Sequence, residues 1–258
     1  MMELIGGLKN ETNILHHIVF GDFDSKDFEL YLASRSAPTP LERQVTVPVP
    51  YRHGVIDLSR LRGERIYDNR EITYTFYRFG VSRNAEAGMV QTTLENLLMR
   101  EFEQTLYDSY EPFFHYKGKC TGVSVQDDYE YGRLVIEAVF ELYPFKVSNA
   151  PESWDLFDSF NFNMDTFQYE GFGGTIPSGE VLTIVNPVQN SCELAVLADR
   201  NISVQISKDN RFNAADLYFS VIANKESRVR VPGGKFWSHW NFTGATAQVC
   251  IDLYKEYL

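Results

Sequence analysis

Apolar and polar residues alternate along most of this chain with a period of two, the period of a strand that buries one face. "EITYTFYRF" puts Ile72, Tyr74 and Phe76 on one side and Thr73, Thr75 and Tyr77 on the other. "GKCTGVSVQDDYEYGRLVIEAVFEL" reads as a hairpin with its turn inside "QDDYEYG". Leu134, Ile136, Ala138, Phe140 and Leu142 face one way; Arg133, Glu137 and Glu141 face the other, with Val135 and Val139. Earlier, "DFELYLAS" predicts a strand ended by "APTP", and "ERQVTVPV" a second one. The proline inside the latter suits only an edge or a projecting arm. Between Asn84 and Asp108 the period changes. Val90, Leu94, Leu97, Leu98, Phe102 and Leu106 recur every three or four residues. That spacing predicts one long helix, capped by Asn84 with Glu86 in its first turn, packed on a sheet.

A boundary follows at "YPFKVSNAPESW", near residue 146, where prolines and small polar residues collect. Beyond it come short apolar runs: "EVLTIVN", "CELAVLA", "ISVQIS", "DLYFSVIA", "SRVRV" and "TAQVCIDLY". Turn signals separate them at roughly 8–12-residue spacing, the rhythm of an antiparallel sandwich or jelly roll. The fold class is therefore mainly β with one long helix, α+β in type. Residues 1–146 are expected to form a β-sandwich-like domain with a helix at about 84–108 and a β arm at about 45–70. Residues 147–258 form an antiparallel β-sandwich, whose last strand, "AQVCIDLYKEYL", can return to the first domain.

The arm is the odd part. "VPVPYRHGVIDLSRLRGERIYDNR" holds two prolines, two glycines and five arginines between two good strands. From Arg52 to Arg83 there are seven arginines against Asp57, Glu64, Asp68 and Glu71, in a chain whose net charge is −11. The segment Asp22–Glu29 has the opposite sign, with Asp22, Asp24, Asp27 and Glu29 against Lys26.

Composition narrows the function. With 44% hydrophobic and 23% charged residues, the chain is of the globular type. Its acidity argues against specific nucleic-acid binding, which needs a basic footprint. No run approaches the roughly 20 apolar residues of a membrane helix, and the N-terminus does not read as a secretion signal. Cys120, Cys192 and Cys250 stand far apart and are expected to be reduced thiols. "NET", "NIS" and "NFT" are then chance matches to the glycosylation pattern.

Candidate chemistry is sparse. His16 and His17 are adjacent, so on a strand they face opposite sides and make a poor metal site. "GDFDSKD" lacks the further oxygen ligands of a calcium loop. Asp127 and Asp128 lie in a turn and Glu137 and Glu141 on an outer face, where nothing raises the pKa of a general acid. No nucleophile elbow, zinc-protease motif or phosphate-binding loop is present. No catalytic residue, cofactor or metal is expected. Trp237 and Trp240 in "KFWSHWNF" keep one alternative open, since an exposed tryptophan can stack on a sugar ring.

From Phe20 to Phe79 the chain resembles the distal tail proteins of long-tailed phages. The resemblance lies in "FDSKDFELYLASR", "PTPLERQVTVPVPYRHGVIDLS" and "YDNREITYTFYR", in which Pro50, Arg52, Gly54, Asp57, Arg70 and Phe76 match the family's pattern. Tyr51 stands where the family often has glycine. The resemblance implies a hexameric ring at the distal end of the virion tail, assembled in the host cytoplasm. Such a ring is a structural hub of the baseplate, serving host adsorption and DNA passage. It joins the tail tube protein to the tail-associated and receptor-binding proteins. A galectin-like second domain is implied as a docking platform. An arm that packs on the neighbouring subunit would cover its own exposed edges. Pro50, Tyr51, Arg52, Gly54, Arg60, Arg62 and Arg65 are then expected at the subunit interface, facing Asp22 and Asp24. The alternative is a carbohydrate-binding protein that contacts host wall saccharides through Trp237 and Trp240.

Overall fold

A computed structural model describes residues 15–59, 65–79, 85–100, 103–150, 173–188 and 190–258. The chain divides into two compact units, residues 1–41 with 69–144, and residues 42–68 with 145–258. The arm segment thus groups with the second unit, not with the first as its sequence position suggested. The cause is contact at its base, where the ring of Tyr67 meets that of Phe145 edge-on at 5.7 Å.

In chain order the elements are β1 (Ile18–Phe20), β2 (Phe23–Asp24), β3 (Tyr31–Ser36), β4 (Thr46–Pro48), β5 (Val55–Asp57), β6 (Arg70–Phe79), α1 (Ala85–Leu98), β7 (Gln104–Asp108), β8 (Phe114–Asp128) and β9 (Arg133–Leu142). The first unit's strands lie in one antiparallel sheet, ordered β2-β1-β7-β8-β9-β6-β3. This is a sheet under a helix rather than the sandwich expected. The alternation read from the sequence sets its faces. Ile72, Tyr74 and Phe76 of β6 are buried, as are Leu134, Ile136, Ala138, Phe140 and Leu142 of β9. The strands of the β8–β9 hairpin end at Asp128 and restart at Arg133, inside the expected turn.

Two assignments change. The helix stops at Leu98, and Gln104–Asp108 is a strand. Ala87, Val90, Leu94 and Leu98 pack on the core cluster, while Leu97 is exposed and Phe102 lies outside the described residues. Leu106 keeps the helical period by coincidence. It is buried because β7 pairs with β1 on one side and β8 on the other, which satisfies its backbone as a strand. In "DFELYLAS" only the second half is a strand; Phe23, Phe28 and Leu30 instead pin a turn against the core.

A buried polar network sits on the inner face of this sheet. A register shift between Leu32 and Ser34 in β3 lets both Leu32 and Arg35 oppose inward residues of β6, namely Phe76 and Tyr74. A bulge of this kind re-aims a side chain. Arg35 Nε lies 2.6 Å from Asp108 Oδ2 and Nη2 lies 2.7 Å from Glu111 Oε2. Tyr74 donates its hydroxyl to Asp108 at 2.8 Å, and Tyr116 donates to Glu111. Arg70, itself buried, lies over the Tyr116 ring at 5.4 Å. Since β3 and β7 are far apart in strand order, their contact through Arg35 and Asp108 means the sheet curves around its buried face. Burial opposes the charge of Arg35, but Asp108 and Tyr74 more than offset it and hold its pKa above the ordinary value. Burial, with Glu111, pushes Tyr116 up to about 12.

The second unit continues with β10 (Lys146–Ser148), β11 (Gly173–Pro177), β12 (Glu180–Asn186), β13 (Cys192–Ala198), β14 (Ile202–Ser207), β15 (Leu217–Val221), β16 (Ser227–Val231), β17 (Gly234–Asn241), β18 (Thr246–Tyr254) and β19 (Glu256–Tyr257). Two four-stranded antiparallel sheets, β11-β18-β13-β16 and β12-β17-β14-β15, share one core. Leu194, Val196 and Ile251 from the first meet Val204, Phe236 and Trp240 from the second. The strand β18 lies inside this unit, and β19 pairs with β10. Glu256, nearly buried, takes both ends of the Arg230 fork at 2.8 and 3.1 Å.

Two tests follow from the buried groups. Replacing Arg35 by Ala leaves the Asp108 carboxylate buried without its cation. A loss of about 3–5 kcal/mol is expected in urea unfolding; a loss below ~1 kcal/mol would show that the pair is dispensable. Burial also raises Cys120 to about 11 and Cys192, aided by Glu256, to about 12. Unfolded thiols titrate near ~8.5 and phenols near ~10, so above these values the unfolded chain loses protons that the folded one retains. Stability is therefore full below pH ~8.5 and lost as pH rises toward the folded values. Urea midpoints measured from pH 7 to 11 should fall, and Cys120→Ala with Cys192→Ala should flatten the early part of the fall.

Candidate assembly site

The arm is a two-stranded ribbon. Thr46 pairs with Asp57, Val47 with Ile56 and Pro48 with Val55, and all six residues are exposed. Its base is tied by Val45 N–H donating to Ser59 Oγ at 2.8 Å and Arg43 N–H donating to Ile66 C=O at 2.7 Å. Arg43 also reaches Asp68 at 2.7 Å, and Arg65 Nε stands 3.7 Å from Glu42 Oε2. A ribbon of two strands is marginal in water when both faces are wet. Val45, Val47, Val55, Ile56 and Leu58 are apolar and exposed on it.

Pro50, Tyr51, Arg52 and Gly54 come together in its tip. Arg52 N–H donates to Val49 C=O at 3.3 Å, closing a turn with Pro50 second and Tyr51 third. Tyr51 has φ = 63°, which makes this the turn that normally places glycine third. A bulky residue thus occupies the left-handed region at the third position of this turn. The Tyr51 ring is fully exposed.

The expected acidic counterpart is a tight turn of the first unit. Ser25 Oγ accepts from Ile18 N–H at 3.1 Å and Ser25 C=O from Leu30 N–H at 3.0 Å, so the segment is anchored at both ends. Asp22, Asp27 and Glu29 are exposed, while the Asp24 carboxylate accepts from Lys26 N–H at 2.9 Å. Asp22 also lines a cleft with Arg100, Leu97 and Gln104. Arg60 and Arg62 lie outside the described residues.

A second cleft, of about 280 Å³, opens between α1, the end of β6 and the turn. Phe28, Leu30, Met89, Val90 and Leu94 line it, with Arg78 and Thr93 as its polar members. Sequence reasoning missed it, because it is built from three segments. The signal in hindsight is Met89, the more exposed of two apolar residues, with Leu97, on a helix that buries Leu94 and Leu98.

The two tryptophans separate. Trp240 is fully buried, its indole N–H donating to Ser238 Oγ at 2.9 Å, and it cannot contact a sugar. The strand alternation turns Trp237 to the opposite face, where it is half-buried with Lys235 Nζ 5.0 Å above its ring. Among the described residues, no group of three or more His, Cys, Asp or Glu is placed to share a metal ion, and no helix is long and apolar enough to cross a membrane.

No protein-family model and no curated protein matches the chain. Solved structures do. The Dit protein of phage SPP1, described as a paradigm of the hub adsorption apparatus in phages infecting Gram-positive hosts, is similar with a TM-score of 0.60 at 10% identity, over 94% of this chain and 99% of that one. The baseplate of phage P2 in its activated conformation with Ca is similar with a TM-score of 0.44 at 10% identity, over 93% and 97%. The resemblance to distal tail proteins read from Phe20 to Phe79 is thus accompanied by a likeness in fold to the SPP1 Dit protein over 94% of the chain.

The tryptophan assignment has a direct check. Trp240→Ala should cost about 3–5 kcal/mol in urea unfolding, and Trp237→Ala about 1 kcal/mol or less. Equal costs would overturn the inward and outward assignment.

Proposed function

We propose that this chain is a structural hub protein of a phage tail tip, assembled as a hexameric ring at the distal end of the virion tail. The observation that carries the proposal is the fold likeness to the SPP1 hub protein, which runs through both units and agrees with the sequence resemblance around the arm. In this reading the ring joins the tail tube protein to the tail-associated and receptor-binding or baseplate proteins. Its second unit, a galectin-like sandwich, is the docking platform. No catalytic step and no cofactor belongs to it. An acidic ring also suits a conduit that DNA crosses without sticking, since like charges repel.

The arm supports self-assembly on physical grounds. A ribbon with both faces wet and an apolar row exposed gains most by packing on another copy, and a head-to-tail contact that closes makes a ring. Its arginines add register, because a guanidinium fork can hold a carboxylate with two hydrogen bonds. Each such exposed pair contributes only ~0.2–1 kcal/mol, so apolar packing supplies most of the affinity. The saccharide-contact alternative has lost Trp240 to the core.

Light scattering should give a mass six times the 29.7 kDa of the chain. A monomer at micromolar concentration would overturn the ring. Reversing Arg60, Arg62 and Arg65 to Glu should yield smaller species in sedimentation with an unchanged circular-dichroism spectrum. Calorimetry against cell-wall saccharides should show no saturable heat; binding lost in Trp237→Ala would favour the sugar reading instead.

A further inference from the structure

We infer that Tyr51, at the tip of one copy's arm, seats in the cleft lined by Phe28, Met89 and Leu94 of a second copy; this rests on the self-assembly proposed above. Tyr51 occupies the left-handed backbone region, which residues other than glycine rarely adopt. Glycine would relieve that strain, yet the position holds a large aromatic ring that is fully exposed. A strained residue kept without a partner among the described residues points to a role in recognition.

The cleft fits such a ring. At about 280 Å³ it falls just below the roughly 300–1,000 Å³ of a small-molecule site, room for one large side chain. Phe28, Leu30, Val90 and Leu94 supply apolar walls. Met89, 69% exposed at the mouth, is a side chain that adapts its shape to an inserted ring. Thr93 donates its hydroxyl to Met89 C=O at 2.8 Å, which leaves its oxygen able to accept from a phenol.

Charge makes a copy of this chain the occupant. Asp27 and Glu29, exposed on either side of Phe28 in the chain, put acidic groups beside the cleft, and Arg78 is the charged member of its lining. Arg52 follows Tyr51 at the tip and is exposed as well. Inserting the ring brings that guanidinium to those carboxylates, which fixes orientation as well as depth. Aromatic anchors in apolar pockets ringed by polar contacts are the usual hot spots of interfaces.

Two experiments on the full chain test it. In a Cys250→Ser background, with Cys120 and Cys192 buried, the double variant Tyr51→Cys with Met89→Cys should form a ladder of disulfide-linked oligomers under mild oxidation. Each single variant should run as a monomer on the same non-reducing gel. Tyr51→Gly should leave the urea midpoint unchanged or raise it, while the assembly dissociation constant rises roughly tenfold or more. An assembled protein that gives no ladder, or that assembles normally as Tyr51→Gly, overturns the pairing but leaves the ring intact. A wild-type chain that stays monomeric overturns both.

Discussion

A guanidinium and a carboxylate brought together on the inner face of the first unit hold its sheet in a curve. Arg35 belongs to one edge strand and Asp108 to a strand near the other edge, so their ion pair spans the buried face. Each charge would be costly there alone, and the arrangement is tolerable because Tyr74 donates to Asp108 while Glu111 and Tyr116 accept from Arg35 Nη2. The curve in turn makes one compact core from strands that would otherwise form a flat, two-faced layer. Phe20 of β1 meets Phe140 of β9 edge-on across two intervening strands, a contact that such a surface permits.

The arm obeys the opposite logic. Where the first unit encloses its polar groups, the ribbon leaves apolar ones in water. Val47, Val55 and Ile56 are ordinary strand residues, yet they contribute to no core cluster among the described residues. Its tip holds a tyrosine in a conformation suited to glycine. A domain selected only for its own stability would not keep either feature, and both are accounted for if the arm completes itself on a neighbour. The proposed ring thus explains a local oddity of the sequence by a contact outside the chain.

The second unit shows how alternation divides labour along one strand. In β17, Phe236, Ser238 and Trp240 go to the core, while Lys235, Trp237 and His239 go to the other face. Ser238 is there to receive the indole N–H of Trp240, since a buried donor needs an acceptor. Two tryptophans three residues apart look like a pair in the sequence, but in a strand an odd separation sends them to opposite faces.

Much of this molecule was legible without coordinates. Alternation alone determined the buried faces of β6 and β9, because a period of two leaves no choice once one side is apolar. The turn residues likewise marked most strands of the second unit. Other features were decided only in the folded chain. Leu106 fits the helical period as well as Leu94 does, and nothing local tells them apart; β7 is a strand because β1, some ninety residues earlier, pairs with it. Arg35 turns inward because of a bulge whose register is set by β6. The arm groups with the second unit through Tyr67 and Phe145, and the cleft exists only where a helix, a strand end and a turn converge. Local pattern dictates which side of an element is apolar; which distant element comes to cover it is a property of the whole packed chain.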